Sequence, residues 1–296
     1  MNRSTFNKVT VPGLFSMMLM KFQERPEVWR SLVNHKTSQR AYEESSYYTG
    51  FGYVPVKPEG QGIEYDEPIQ GPTKRWTHKT YGLGFKVTEE MIEDDLYDVM
   101  NDMASGLGHS VRETKEVNVA DIFNNGFVTT NHTAGDGKAI FATDHTRLGG
   151  GDWQNEFTNA VDLNAGSLQQ AVENFETTTD DRSMQQVLIP RILLVAPQNE
   201  WKARELLYTQ ADPESANNTI NAIRSRNLQL VVWYYLTDPD AWFVMGEQTG
   251  LIYFDRRATT FAKDGDFDTG DAKFKTTYRD SVEVNKPYGM YGSPGA

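Results

Sequence analysis

Four aspartates crowd into one short run of this chain, Asp264, Asp266, Asp268 and Asp271 in Asp-Gly-Asp-Phe-Asp-Thr-Gly-Asp. Carboxylates this close can converge on a hard cation such as calcium. The spacing departs from the EF-hand loop. Gly270 stands one place late, and Lys275 holds the twelfth position, where a bidentate Glu is needed. The run reads as a solvated hairpin tip, with a weak cation site as the alternative. His132, Asp136, Asp144 and His145 have the side chains of a metal site, but no helical register such as H-E-x-x-H aims them at one point. The pairs Glu43-Glu44, Glu89-Glu90 and Asp180-Asp181 could do acid–base chemistry only if they faced each other, which sequence neighbours rarely do. No P-loop, G-x-S-x-G or dinucleotide fingerprint is present. Cysteine is absent, which excludes disulfides, thiolate catalysis and cysteine-bound zinc. The sequence therefore assigns no catalytic residue, no cofactor-binding residue and no metal ligand; neither a cofactor nor an enzymatic activity is expected.

The elements around these residues point elsewhere. A strand-rich arm from Gly50 to Val87 runs directly into a charged helical stretch from Thr88 to Phe123. Thr88 suits an N-cap, and Glu89, Glu90, Glu93, Asp94 and Asp95 place negative charge where the helix dipole favours it. Ile92, Leu96, Val99, Met103, Leu107 and Val111 recur at helical spacing and predict one apolar stripe. Gly106 and Gly108 predict a bend, or a junction between two helices. Asn124, Asn125 and Gly126 suit a left-handed C-cap. A single helix of this span is a rod about 54 Å long.

Upstream, Tyr47 to Val87 carries Pro55, Pro58, Pro68, Pro72, Gly60, Gly62 and Gly71, which excludes helix. Ile63 and Tyr65, then Trp76, His78, Tyr81, Leu83, Phe85 and Val87, approximate two strands with Gly71-Pro72 between them. A lone ribbon is marginal in water and needs a surface to lie on, either its own domain or another chain.

With 296 residues and a 12% aromatic content the chain can bury a substantial core. A net charge of −12 argues against tight, non-specific DNA binding through phosphates, though a container for DNA can be acidic. The most apolar runs, Val187 to Ala196 and Leu228 to Leu236, are too short to span a membrane. Leu14 to Met20 lacks a small-residue cleavage site and fits an amphipathic arm helix, broken near Pro26 and resuming through Trp29 to Val33.

Downstream, short strands are expected around Gly135-Asp136-Gly137 within Phe127 to Thr143, then a loop at Gly149-Gly150-Gly151. A helix over Leu163 to Thr177 and a buried strand over Arg191 to Ala196 follow, and then a helix from Pro197 through Trp201, Ala203, Leu206 and Leu207. Leu228 to Tyr235 and Trp242 to Met245 are strands around Asp238-Pro239-Asp240. Thr249 to Phe254 precedes two alternating strands, Thr259 to Lys263 and Lys273 to Tyr278, which bracket the acidic run. The class is α+β without internal repeats.

This order of arm, ribbon, long helix, α/β unit and terminal hairpin resembles the major capsid proteins of tailed bacteriophages, the Hong Kong 97 fold. Asp136-Gly137, Ile140-Phe141 and His145 resemble a pattern of Mu-like major head subunits. So do Leu193-Leu194-Val195-Ala196-Pro197 with Ala203, Leu206 and Leu207, and the ending Tyr278-Arg279, Tyr288-Gly289 and Tyr291-Gly292-Ser293. The resemblance runs from about residue 48 to 296.

It implies an N-terminal arm over residues 1–47, an extended β-ribbon loop over 48–87, a peripheral domain of 88–160 and 246–296 built on the long spine helix, and an axial domain over 161–245. The implied function is self-assembly, through hexamers and pentamers, into the icosahedral shell that encloses a double-stranded DNA genome without sequence-specific binding. Implied partners are a separate scaffolding protein, a portal and a decoration protein, with no membrane. The implied location is the virion, with assembly in the host bacterial cytoplasm. A lysine–asparagine crosslink known in some relatives is not assigned, since Lys57, Lys74 and Lys79 give no reason to assert it. An encapsulin-type compartment shares the fold and differs in its cargo. A secreted β-rich hydrolase using an Asp/Glu pair is the alternative of another class.

Overall fold

The computed structural model describes residues 3–94, 97–211, 220–266 and 270–296, and the side chains of these apart from 3–12, 92, 93 and 97. The chain begins with helix α1 (Arg3–Gln23), strands β1 (Asn34–Thr37), β2 (Tyr42–Ser45), β3 (Lys74–Thr77) and β4 (Lys79–Val87), and helices α2 (Glu89–Glu93) and α3 (Tyr97–Asn124). Strands β5 (His145–Thr146) and β6 (Asp152–Trp153), helix α4 (Ala165–Glu176), β7 (Pro190–Val195), α5 (Glu200–Tyr208) and β8 (Gln229–Val232) follow. The last strands are β9 (Trp242–Gly246), β10 (Leu251–Gly265), β11 (Ala272–Val284) and β12 (Met290–Ser293). Two compact units result, one of Met1–Glu43, Trp76–Val119 and Tyr253–Val282, the other of Glu44–Arg75, Ala120–Ile252 and Glu283–Ala296.

The first unit holds a sheet of order β1-β10-β11-β4. The expected ribbon partner of the Tyr81–Val87 strand is not Ile63–Tyr65: β4 pairs antiparallel with β11, with Phe85 opposite Phe274 and Tyr81 opposite Tyr278. Both pairs stack, with ring centroids 5.0 and 4.9 Å apart, the cross-strand contact that stabilises an antiparallel ladder. The two strands expected at Thr249 to Phe254 and Thr259 to Lys263 are one continuous strand, β10. The Thr88 side chain accepts a hydrogen bond from Met91 N at 3.3 Å, as its N-cap position predicts.

The long helix differs from its expected form in three ways. Its first element, α2, ends at Glu93 with Asp94 as its C-cap, while α3 runs without interruption through Gly106 and Gly108. Its buried stripe is Met100, Ala104, Leu107 and Val111, and Val99 and Met103 are exposed. Ile92, Leu96 and Asp95 lie outside the described side chains. The shift has a steric cause, because a Cβ on Gly108 would come within 2.3 Å of the Met18 carbonyl oxygen. Small residues on this face let α1 approach, so the buried stripe centres on Ala104 and Gly108. Third, Asn124, Asn125 and Gly126 are not left-handed. The Asn124 side chain instead donates to Tyr235 O and accepts from Thr237 N, both at 3.0 Å.

The arm helix expected near Leu14 is α1, whose Leu14 packs with Val87, Met100, Ala104, Ala272 and Phe274. Beyond Pro26 one 3₁₀ turn, Val28–Ser31, buries Trp29. The Glu116 carboxylate accepts from its first amides, Val28 N at 2.8 Å and Trp29 N at 3.3 Å, which satisfies donors a helix start leaves open.

The second unit is built on a mixed sheet of order β12-β9-β7-β8, in which β7 runs parallel to β8 and antiparallel to β9. Its central strands are apolar over Ile192–Val195 and Trp242–Met245, where both faces are covered. Leu193, Val195, Trp242 and Val244 face α4 and α5, which contribute Leu168, Val172, Phe175, Leu206 and Leu207. Phe243, on the other face, meets Phe123, Phe127 and Phe141 at 5.0–5.7 Å. Helix α4 opens with a capping box between Asn164 and Ser167. The short strands expected within Phe127 to Thr143 do not form; residues 134–138 make a turn, with Gly137 at φ +81°, and β5 and β6 flank the Gly149–Gly151 loop instead. The buried strand expected over Arg191 to Ala196 forms as Pro190–Val195, while Val187, upstream in the same apolar run, is exposed.

Candidate assembly surface

The segment between β2 and β3 contains no regular strand, only a closed base and a long exposed excursion. Tyr48 bridges Gln70, Thr49 N donates to Ile69 O at 2.9 Å, and Gly71 N donates to Tyr47 O at 2.7 Å. The Thr49 hydroxyl accepts from Ile69 N at 2.9 Å. Higher up, the Asp66 carboxylate accepts from Gly52 N at 3.0 Å. That hydrogen bond holds the Asp66 carboxyl below its ordinary value, with the Arg182 charge acting in the same direction. Pro55, Pro58 and Pro68 lack the donors a ladder requires, which explains why the Ile63–Tyr65 strand does not form. Beyond the base, Phe51, Tyr53, Val54, Val56, Ile63 and Tyr65 all project into solvent, Val54 at 95% and Tyr65 at 89% exposure. Apolar side chains gathered on one excursion mark a surface that is covered when a partner is present.

The chemical candidates are dispersed among structural partners. Asp266 pairs with Lys273 at 2.7 Å, Asp271 pairs with Lys86, and Asp264 caps Gly265 N at 2.9 Å; Asp268 lies outside the described residues. Among the described residues no group of three or more acidic or imidazole side chains could hold a metal ion. His145 and Asp136 do meet, with Nδ1 donating to Oδ2 at 2.8 Å. Burial opposes ionisation of Asp136, but the His145 contact outweighs it and holds the carboxyl below its usual value. Asp144 instead pairs with Lys138. His132 lies between Asp121, at 2.8 Å, and Glu283; burial works against its protonation, but these carboxylates prevail and raise its pKa. Asp180 and Asp181 do not face each other. Asp180 accepts from Arg182 N and Met184 N within its own turn, and buried Asp181 accepts from Lys286 Nζ at 2.5 Å and Tyr288 Oη at 3.1 Å. Glu43 accepts from Ser38 Oγ at 2.6 Å, while Glu44 pairs with Arg75 at 2.7 Å.

The family model for phage capsid proteins matches residues 71–293. The chain belongs to that family. Its function is that of a major capsid protein, a structural subunit of a phage head. The fold is shared with the capsid of the cyanophage P-SCSP1u, at TM-score 0.63 and 10% identity over 92% of this chain and 89% of that one. It is shared with the capsid of a native GTA particle, at TM-score 0.62 and 9% identity over 92% and 91%. A virus-like particle from Pyrococcus furiosus aligns over 96% and 98%, at TM-score 0.52 and 11% identity. No curated protein matches the sequence.

In this capsid protein the residues of the quoted motifs are packing devices. Ile140 and Phe141 are buried. A Cβ on Gly292 would come within 2.8 Å of Phe243 and 3.0 Å of Phe141, so only glycine lets the last strand close on the sheet. Tyr291 Oη accepts from Asn174 Nδ2 at 3.0 Å. The first unit has its own buried polar group, in which the Tyr253 hydroxyl donates to Asp280. Burial raises the Asp280 carboxyl and lowers the nearby Lys115 ammonium. Sequence reasoning missed Asp280, Lys115, Lys286 and Arg182, because the partners that matter to each lie far away in sequence and are met only through folding. Among the described residues no helix is long and apolar enough to cross a membrane.

Proposed function

We propose that the capsid protein assembles, through hexamers and pentamers, into the icosahedral shell of a tailed bacteriophage head of the Hong Kong 97 type, and that this shell encloses double-stranded DNA. The observation that carries the reading is the excursion between residues 50 and 68, whose apolar side chains have no cover in the single subunit. In the assembled shell a neighbouring subunit covers them. Residues 1–47 serve as the arm, 48–87 as the extended loop, 88–160 and 246–296 as the peripheral domain and 161–245 as the axial domain that closes the rings. The net charge of −12 suits a wall that encloses DNA without gripping it. A separate scaffolding protein guides closure, a portal fills one vertex, a decoration protein binds outside, and assembly takes place in the host cytoplasm. The role is structural, and we assign the subunit no catalytic activity.

Electron microscopy of the purified full-length protein, alone and with its scaffold, tests the reading. Closed particles that package DNA in cells support it. A monodisperse monomer across all concentrations and scaffold ratios removes it. Particles filled with protein in place of DNA point to the compartment alternative.

A further inference from the structure

The excursion is not held by its own base alone. Arg182 Nη2 donates to Glu67 O at 2.6 Å and to Asp66 Oδ1 at 3.2 Å, and its Nε donates to the Thr49 hydroxyl at 3.4 Å. One guanidinium therefore ties together the outgoing and returning arms of the loop, the planar multi-donor geometry that lysine cannot reproduce. The residue sits on a tight turn closed by Asp180 N to Met184 O at 2.8 Å and by the Thr179–Gln185 bridge, with Ser183 held at φ +61°.

The next residue back fixes that turn to the body of the unit. Asp181 is buried against Lys286 and Tyr288. A Cβ on Gly149 would come within 2.0 Å of the Asp181 carbonyl oxygen, so the Gly149 backbone presses on the turn from another side. The Lys286 ammonium also lies 4.1 Å from the Tyr47 ring centroid, and a Cβ on Gly71 would come within 2.6 Å of that same ring. Tyr47 and Gly71 are the two ends of the loop base. Consecutive residues of one turn thus face opposite ways, Asp181 into the unit and Arg182 onto the loop.

We propose that the Thr179–Gln185 turn is a clamp, with Arg182 as its positioning residue, that sets the course of the extended loop before any neighbour arrives. Free subunits then present the loop already ordered at its base, and docking gives up less conformational freedom than it would with a slack loop. This rests on the capsid reading for its purpose and not for its observation.

Hydrogen exchange on the dispersed full-length subunit separates the two. Arg182→Ala raises exchange in residues 49–68 about tenfold, the loss expected for charge-assisted hydrogen bonds, while amides of β7 and β9 exchange as in the wild type. Arg182→Lys gives an intermediate rise. Asp66→Asn weakens the same contact from the loop side and gives a smaller local rise, which keeps the test open if Arg182→Ala does not fold. Arg226→Ala, which removes the pair with Glu176, leaves the loop unchanged. Unaltered loop exchange in both Arg182→Ala and Asp66→Asn overturns the clamp, and so does a rise spread evenly through the unit. In shell assembly, followed by light scattering, Arg182→Ala lengthens the lag at equal subunit concentration. A wild-type protein that never forms shells refutes the capsid reading and leaves the exchange result to judge the clamp by itself.

Discussion

At the scale of single residues, buried charges decide how the subunit answers pH and substitution. Glu156 is half-buried, and burial raises its carboxyl to about 7 from an ordinary 4.5, with the His145 charge opposing in part. The unfolded chain then ionises first, so between these values the folded state binds more protons and stability falls as pH rises. Glu156→Gln should remove that decline, melting like the wild type near pH 4.5 and above it at pH 8, by about 1–2 kcal/mol after discounting for partial exposure; identical melting curves across the range would disprove this. His132 acts in the same direction over a higher window: its raised folded pKa contributes stability that is complete below about 6.5 and lost as pH rises through the folded value. Asp181→Asn leaves Lys286 without its carboxylate in a largely buried place, and the expected cost is about 2–4 kcal/mol in denaturant unfolding.

At the scale of elements, two glycines in one helix make opposite predictions. A Cβ on Gly106 meets nothing within 4 Å, whereas one on Gly108 collides with the backbone of Met18. Gly106→Ala should stabilise by about 0.5–1 kcal/mol through helix propensity, and Gly108→Ala should destabilise by about 1–3 kcal/mol by forcing α1 away; denaturation midpoints compare them directly. The hairpin tip between β10 and β11 yields a further expectation. Its described carboxylates already have lysine or backbone partners, so a chelator should move the melting temperature by no more than about 1 °C. These elements also show what a sequence discloses. The helix start at Thr88, the helix over Leu163 to Thr177, the apolar runs at β7 and β9, and the Pro-rich character of 50–72 are local, and they were readable from residue types alone. The helix face was not, because a stripe read from large side chains passes over Ala104 and Gly108, whose small size is what invites the neighbouring helix. Nor was the partner of β4, since β11 lies almost two hundred residues away, nor the loop contacts of Arg182, which depend on a turn between distant segments.

For the whole molecule, the exposed loop should be separable from folding. Lys74 donates to Glu283 at 2.8 Å and Arg75 pairs with Glu44, so both belong to the body, and the dispensable segment stops short of them. Replacing residues 53–65 with a short Gly-Ser linker should leave circular dichroism and melting near wild type while abolishing stable shells in electron microscopy; an unfolded subunit, or normal shells, would contradict that division of labour. The sheet order β12-β9-β7-β8 carries a consequence in time. β9, with Trp242, Phe243, Val244 and Met245 all buried, finds one flank only when Met290–Ser293 is laid against it. On the ribosome, at about 5–20 residues per second, that flank stays open for some seconds after β9 emerges. The nascent chain is thus sticky at the edge where a stray strand could add. A subunit cut short before β12 should aggregate during synthesis, so the closing strand doubles as a checkpoint that keeps unfinished chains out of the shell.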